Sequence, residues 1–241
     1  ALQAAQAANE SKSAFLANMS HDIRTPMNAV LGFTTIISKE ADDPAKVRDC
    51  ASKIMASGRH LLDLINDVLD ISKIESGKAT LNLTEFDLGD SLVAIESIIA
   101  PMARDKHQAF HTEIVNVDHE RVIGDETHIN QILINLLSNA VKYTPPGSTV
   151  QVSLFREGDQ VVLTVEDNGA GIPEEDLPRI FERFYRVDKA RSRAAGGTGL
   201  GLAIVRDTVE KRGGTVEAAN RPGGGAVFTV RWPWREGGGQ T

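Results

Sequence analysis

Over the first third of the chain, apolar residues recur at alternating spacings of three and four, and this repeat restricts the fold more than any other feature. Leu16, Met19, Ile23, Pro26, Val30, Phe33 and Ile37 form one series; Val47, Cys50, Ile54, Ser57, Leu61, Leu64, Val68 and Ile71 form a second. Such a rhythm keeps a stripe on one side of an α-helix and is the seam of a left-handed helix bundle. Asp42, Asp43 and Pro44 predict a turn and a new helix start between the two series, and Ser76-Gly77 predicts the second helix end. Residues 1–15, rich in Ala, Gln, Glu, Lys and Ser, predict a helix expected to begin upstream of residue 1. Leu62, Ile65 and Leu69 flank the second seam, so the hairpin has more apolar surface than two helices cover. That predicts a homodimer closing a four-helix bundle; the competing reading is a coiled-coil spacer within one chain.

Beyond Gly77 the pattern changes to short alternating runs. Thr80–Phe86, Ala109–Val117, Thr149–Phe155, Gln160–Glu166, Thr215–Ala219 and Ala226–Trp232 read as strands, with Glu157-Gly158-Asp159 turning a hairpin. Leu88–Asp105, with Pro101 kinking or ending it, and the strongly amphipathic Asp125–Val141 read as helices. The order is mixed, which predicts an α+β sandwich with helices on one face of a mixed sheet. The expected organisation is a helical domain over residues 1–78, an α/β domain over 79–235 and a disordered tail over 236–241.

Composition narrows the function classes. With 41% apolar and 24% charged residues the chain has the makeup of a folded protein, and no apolar run approaches the roughly 20 residues that span a bilayer. A net charge of −7 disfavours nucleic acid as a partner, and the lone Cys50 cannot form an internal disulfide, so a soluble, cytoplasmic protein is expected here, with a membrane anchor upstream left open. Of 21 glycines, 16 follow residue 145, whereas all six histidines precede residue 146; Lys also gives way to Arg and Ile to Val at about that point. This suggests a fusion of two related parents near Thr144 to Ser148.

On the first helix His21 falls on the outer face, two residues from seam positions on either side. A lone surface histidine is unremarkable, but Asp22 sits beside it, Thr25 lies one turn later on the same face, and Pro26 loosens the helix there. Neutral imidazole is a good nucleophile near pH 7, Asp22 could take the other ring proton as a phosphorus–nitrogen bond forms, and Thr25 could orient a water for the reverse hydrolysis.

In the amphipathic helix, Asn135 and Asn139 lie one turn apart and are followed by Lys142 and Tyr143. The two amides read either as satisfied core groups or as oxygen donors to Mg²⁺, with Lys142 neutralising phosphate and Tyr143 lying against a base or ribose. Asp167-Asn168-Gly169-Ala170-Gly171-Ile172-Pro173 closes a strand either as a simple turn or as a loop whose carboxylate accepts from an adenine amino group. Gly197-Thr198-Gly199-Leu200-Gly201 leads into a helix whose free N–H groups suit phosphate; it fits neither a Rossmann fingerprint nor a P-loop.

In this order the segments resemble a sensor histidine kinase of a two-component system. SHDIRTPMN (Ser20 to Asn28) is similar to the H box, NLLSNAVKYT (Asn135 to Thr144) to the N box and DNGAGIP (Asp167 to Pro173) to the first glycine box; IFERFYR (Ile180 to Arg186) resembles the F box and GTGLGLAI (Gly197 to Ile204) the second glycine box. The resemblance implies a dimerisation and histidine-phosphotransfer hairpin joined to a Bergerat-type ATP-binding domain. It implies that His21 is the phosphoacceptor, Asp22 its acidic neighbour and Thr25 the phosphatase-supporting residue. It further implies that Asn135 and Asn139 lie on the Mg²⁺ side, that Lys142, Tyr143, Asp167, Gly169, Gly171, Ile172, Gly197, Thr198, Gly199, Leu200 and Gly201 contact ATP, and that Arg186 reaches the γ-phosphate. Val187 to Gly196 resembles the ATP lid.

Asp22 stands where many relatives carry Glu, and NMSHDIRTPMN resembles hybrid kinases with attached receiver domains, whereas the later boxes resemble simpler kinases. The implied partner is an aspartate on a response regulator receiver domain. A nucleotide-binding regulatory module without kinase activity and a plain ATPase are the competing functions.

Overall fold

The computed structural model describes residues 2–75, 82–115, 121–188 and 197–233, and side chains within them except at residues 2–18 and 73–75. The expected helix end at Ser76-Gly77, the tail from residue 236 and most of the segment resembling the lid lie outside these residues, as does the Leu16 side chain. The described residues divide into two compact units, one helical, reaching Lys73 and joined by Gly197 and Thr198, and one α/β, formed by the described residues from Ile74 to Asp188 and from Gly199 on.

The helical unit is a hairpin of α1 (Leu2–Lys39) and α2 (Pro44–Glu75). Pro44 begins α2, and Asp43 caps it by accepting from the backbone N–H groups of Ala45 (3.0 Å) and Lys46 (3.2 Å). Among the seam residues, Cys50, Leu64 and Ile71 are buried and the others whose side chains are described are at least half-covered, apart from the buried Pro26 inside α1. Met27, Leu31, Met55, Leu62, Ile65 and Leu69 remain 41% to 61% exposed. Among the described residues no helix is long and apolar enough to cross a membrane.

The α/β unit runs β1 (Thr84–Asp87), α3 (Leu88–Asp105), β2 (Ala109–Val115), β3 (Arg121–Gly124), α4 (Glu126–Tyr143), β4 (Thr149–Glu157), β5 (Gln160–Asp167), α5 (Gly201–Glu210), β6 (Thr215–Asn220) and β7 (Ala226–Pro233). The main sheet has the order β2-β4-β5-β7-β6, with β2 parallel to β4 and every other pair antiparallel. Helices α3, α4 and α5 pack beside β2, across β4 and β5, and against β6. The core between the layers joins Leu92, Ile95 and Ile99 of α3, Ile132, Leu136 and Leu137 of α4, and Val205 and Val209 of α5 to Val150, Val152, Val165, Phe228 and Val230. This is the expected helical hairpin followed by a mixed α/β layer structure.

Local differences have local causes. The strand expected from Thr80 is seen from Thr84, where it pairs with β3, a four-residue strand too short to show alternation in the sequence. The helix expected to end at Val141 continues to Tyr143 because side chains from elsewhere bind its last carbonyls.

Candidate functional site

On the hairpin, His21 is 66% exposed and its Nδ1 lies 3.2 Å from Asp22 Oδ1. With its proton on Nδ1 and directed to Asp22, the ring keeps a lone pair on Nε2. The Thr25 hydroxyl donates to the His21 carbonyl at 3.2 Å, the usual back-bond of a helical threonine, which leaves its oxygen free to accept from water.

In the α/β unit the site is built around α4. Its N-terminus is capped by Asp125, which accepts from the backbone N–H of His128 and of Asn82 (both 3.2 Å) and has the His128 ring nitrogen Nδ1 at 2.7 Å and Arg212 at 3.7 Å. Burial pushes this carboxyl up, yet the His128 side chain and the two backbone donors outweigh it, holding Asp125 below its ordinary value. At the other end, Lys106 Nζ donates to the carbonyls of Val141 (2.8 Å) and Lys142 (2.6 Å), and Gln108 Nε2 donates to those of Thr144 (2.7 Å), Val141 and Pro145 (3.2 Å each). These bonds satisfy carbonyls that a helix end leaves unpaired and fix the backbone carrying half-buried Lys142 and exposed Tyr143.

Asn135 and Asn139 face the start of α5. A Cβ placed on Gly201 would sit 3.4 Å from Asn135 Oδ1 and 3.8 Å from Asn139 Nδ2, so the glycine lets the second helix approach the amides with no side chain between. The buried Asn135 Nδ2 has no hydrogen-bond partner among the described residues, which argues against a fully satisfied core amide. No group of three or more His, Cys, Asp or Glu among those residues could hold a metal alone. A cation here would have to be completed by a ligand's oxygens, with amide oxygens as the protein's share, while the unpartnered Asn135 Nδ2 could only donate to an anionic group.

The Asp167 carboxylate, at the end of β5, is 9% exposed and accepts from the Gly169 N–H through Oδ1 (2.8 Å). The following loop is held from a strand the sequence reading did not connect with it. Asn220, at the end of β6, accepts from the Ile172 N–H and donates to the Ile172 carbonyl, both at 2.7 Å, while Arg221 Nη1 donates to the Asp167 carbonyl at 3.0 Å. Gly171, with φ +74°, passes so near Asn220 that a Cβ would lie 2.7 Å from its Oδ1. Asparagine followed by arginine at a strand end carries no signal distinguishing this role from an ordinary turn.

The F-box and second glycine-box segments meet through backbone. The Phe184 N–H donates to the Gly199 carbonyl at 2.8 Å, and Phe184 takes φ +64° to do so. Tyr185 donates to Asp176 and lies 4.2 Å beneath the Arg179 guanidinium, while Arg183 pairs with Asp207 at 2.9 Å. Arg186 is half-buried in the same stretch, and Leu200 is fully buried, so a ligand could meet only its backbone. The structure thus gathers Asn135, Asn139 and Gly201 in one place, Asp167, Gly169, Gly171 and Ile172 in one loop, and Gly199 against the F box. His21, Asp22 and Thr25 belong to the helical unit, and Gly197 and Thr198 group with that unit as well.

Comparisons with known proteins agree on both halves. Residues 11–77 match the His Kinase A (phospho-acceptor) domain, and residues 124–236 match the histidine kinase-, DNA gyrase B- and HSP90-like ATPase domain. The chain is 41% identical over 97% of its length to the circadian input-output histidine kinase CikA of Synechococcus elongatus, of which it covers 31%. Among solved structures it resembles the catalytic domain of histidine kinase ThkA (TM-score 0.56, 31% identity, 63% of this chain and 95% of that one). It also resembles ThkA in complex with the response regulator protein TrrA (TM-score 0.71, 28% identity, 92% of this chain and 61% of that one). The chain spans about a third to just over half the length of the curated relatives it matches. Carrying a phospho-acceptor hairpin and a kinase-type ATPase domain in sequence, the chain belongs to the sensor histidine kinases of two-component systems.

Proposed function

We propose that this chain is the kinase core that transfers the γ-phosphoryl group of ATP to His21 and then to an aspartate of a response regulator. The observation that carries the reading is the meeting of Asn135, Asn139 and Gly201, which sets amide donors against a helix start with no side-chain cap. Asp167 reads the adenine amino group from a loop held by Gly169, Gly171 and Ile172, Lys142 and Arg186 counter phosphate charge, and Tyr143 lies along the base or ribose. The backbone of Gly197, Thr198, Gly199, Leu200 and Gly201 accommodates the phosphates. Asn139 and Asn135 would hold Mg²⁺, which offsets phosphate charge when bound.

In the transfer step the Nε2 lone pair of His21 attacks the γ-phosphorus, the bond to the β–γ bridging oxygen breaks, and ADP leaves with that electron pair. The Nδ1 proton shifts toward Asp22, which stabilises the imidazolium as it forms. A receiver-domain carboxylate then attacks the phosphorus and returns the pair to Nε2. In the reverse duty, Thr25 orients the water that hydrolyses the acyl phosphate. The exposed apolar stripe of the hairpin supports a homodimer, and the need for ATP supports a cytoplasmic setting for this part of the protein.

Incubation of the whole chain with magnesium and γ-labelled ATP tests the reading. Acid-labile, base-stable label is expected on the wild type and none on His21→Gln, with Asn139→Ala slowed about a hundredfold. Nucleotide binding without label would favour a regulatory module, and phosphate release unaltered in His21→Gln would favour a plain ATPase.

A further inference from the structure

The turn joining β6 to β7 is pressed onto the loop that follows β5. Arg221 and Gly225 close this turn, the Arg221 N–H donating to the Gly225 carbonyl at 2.9 Å, and Gly223, Gly224 and Gly225 all take positive φ (93°, 107° and 94°). A Cβ on Gly225 would land on the Asp167 carbonyl oxygen, and one on Gly224 would lie 3.5 Å from the Gly169 carbonyl oxygen. Arg221 reaches past Asp167 to pair with Glu166 through Nε at 3.1 Å while its Nη1 holds the Asp167 carbonyl. At the far end of the loop Asn220 takes both polar backbone groups of Ile172, the pairing a neighbouring strand would supply.

Asn168 is tied to β4, accepting from the Thr149 N–H at 2.7 Å and donating to the Thr149 carbonyl at 3.3 Å, which leaves Gly169, Ala170 and Gly171, a run with little intrinsic stiffness, before Ile172. Left to itself, such a run samples many backbone shapes, and a carboxylate at its root reads a base only while the loop keeps one of them.

We infer that Asn220, Arg221 and Gly225 are positioning residues for base selection, holding the Asp167 loop in the shape that distinguishes an adenine amino group. The inference rests on the proposed role of Asp167. Each of the three acts through the backbone of the loop, with no contact to the nucleotide required of it. Their effect is on recognition of the base, and phosphoryl transfer from nucleotide already bound does not depend on them.

The test measures binding of ATP and of purine riboside triphosphate, which lacks the exocyclic amino group, to the whole chain with magnesium. Wild type, Asn220→Ala, Gly225→Ala and Asp167→Asn are compared, together with autophosphorylation at saturating ATP. Wild type is expected to prefer ATP. Asn220→Ala and Gly225→Ala are each expected to weaken ATP about tenfold and the analogue less than about twofold, with the saturated rate kept within about twofold. A variant that unfolds leaves the other to decide, and Arg221→Met, which removes both guanidinium contacts, gives a third reading. Unchanged ATP affinity in the folded variants, or equal loss for both nucleotides, overturns the brace while leaving the role of Asp167 in place. A wild type that does not discriminate, or an Asp167→Asn that binds ATP normally, overturns the role of Asp167 and the brace with it.

Discussion

Asp125 shows how one side chain can set a helix carrying much of a site. Its carboxyl is 5% exposed, and burial by itself would favour the neutral acid; His128 and the N–H groups of Asn82 and His128 reverse that preference. Because the native value lies below the ordinary 3.8, the ionised group contributes stability above that pH, and the contribution is lost as pH falls through the native value. Asp125→Asn is therefore expected to be less stable than wild type by about 1 kcal/mol or more at pH 7, with the difference shrinking toward zero in strong acid. Urea titrations of the whole chain followed by tryptophan fluorescence, both tryptophans being in the α/β half, check this. A difference independent of pH would contradict the charge argument. At this scale His21, Asn139 and Asp167 could be singled out in the sequence because the chemistry expected of them depends on residue type. Asn220 and Gln108 were not, because they bind backbone groups that look alike at every position.

At the scale of elements, α4 connects the sequence pattern to the site. Leu136 and Leu137 are fully buried on one side while Asn135 and Asn139 meet Gly201 on another, so the 3.6-residue period that packs the helix also aims its amides. The helix end depends on distant donors. Gln108→Leu keeps the volume but leaves carbonyls of Val141, Thr144 and Pro145 without their shared donor, and is expected to cost about 1–3 kcal/mol and to weaken ATP binding. Thermal melts with and without nucleotide check it; an unchanged melting temperature would place those carbonyls in contact with water instead. Periodicity located α3 over Leu88–Asp105, the bounds observed, since Asp87 supplies the cap a helix start requires. It did not find β3, whose four residues are held by pairing with β1 and by little of their own.

At the scale of the whole molecule, the described residues of the hairpin leave an apolar stripe uncovered. Met27, Leu31, Leu62, Ile65 and Leu69, 41% to 61% exposed, form the apolar surface that a second copy would cover. Replacing Leu62, Ile65 and Leu69 together by Gln is expected to shift sedimentation from dimer to monomer at micromolar concentration while leaving nucleotide binding within about twofold. Wild-type monomer under the same conditions would defeat the four-helix bundle.

The β6–β7 turn also bears on the order in which a ribosome delivers this fold. Asn220 lies 48 residues after Ile172, and β7, which completes the pairing of central β5, comes last of the described strands. At about 5–20 residues per second a nascent chain spends several seconds with the Asp167 loop already made but without the contacts of Asn220 and Arg221. During that interval the polar backbone groups of Ile172 and the Asp167 carbonyl lack their side-chain partners, and the shape of the loop waits for the final hairpin.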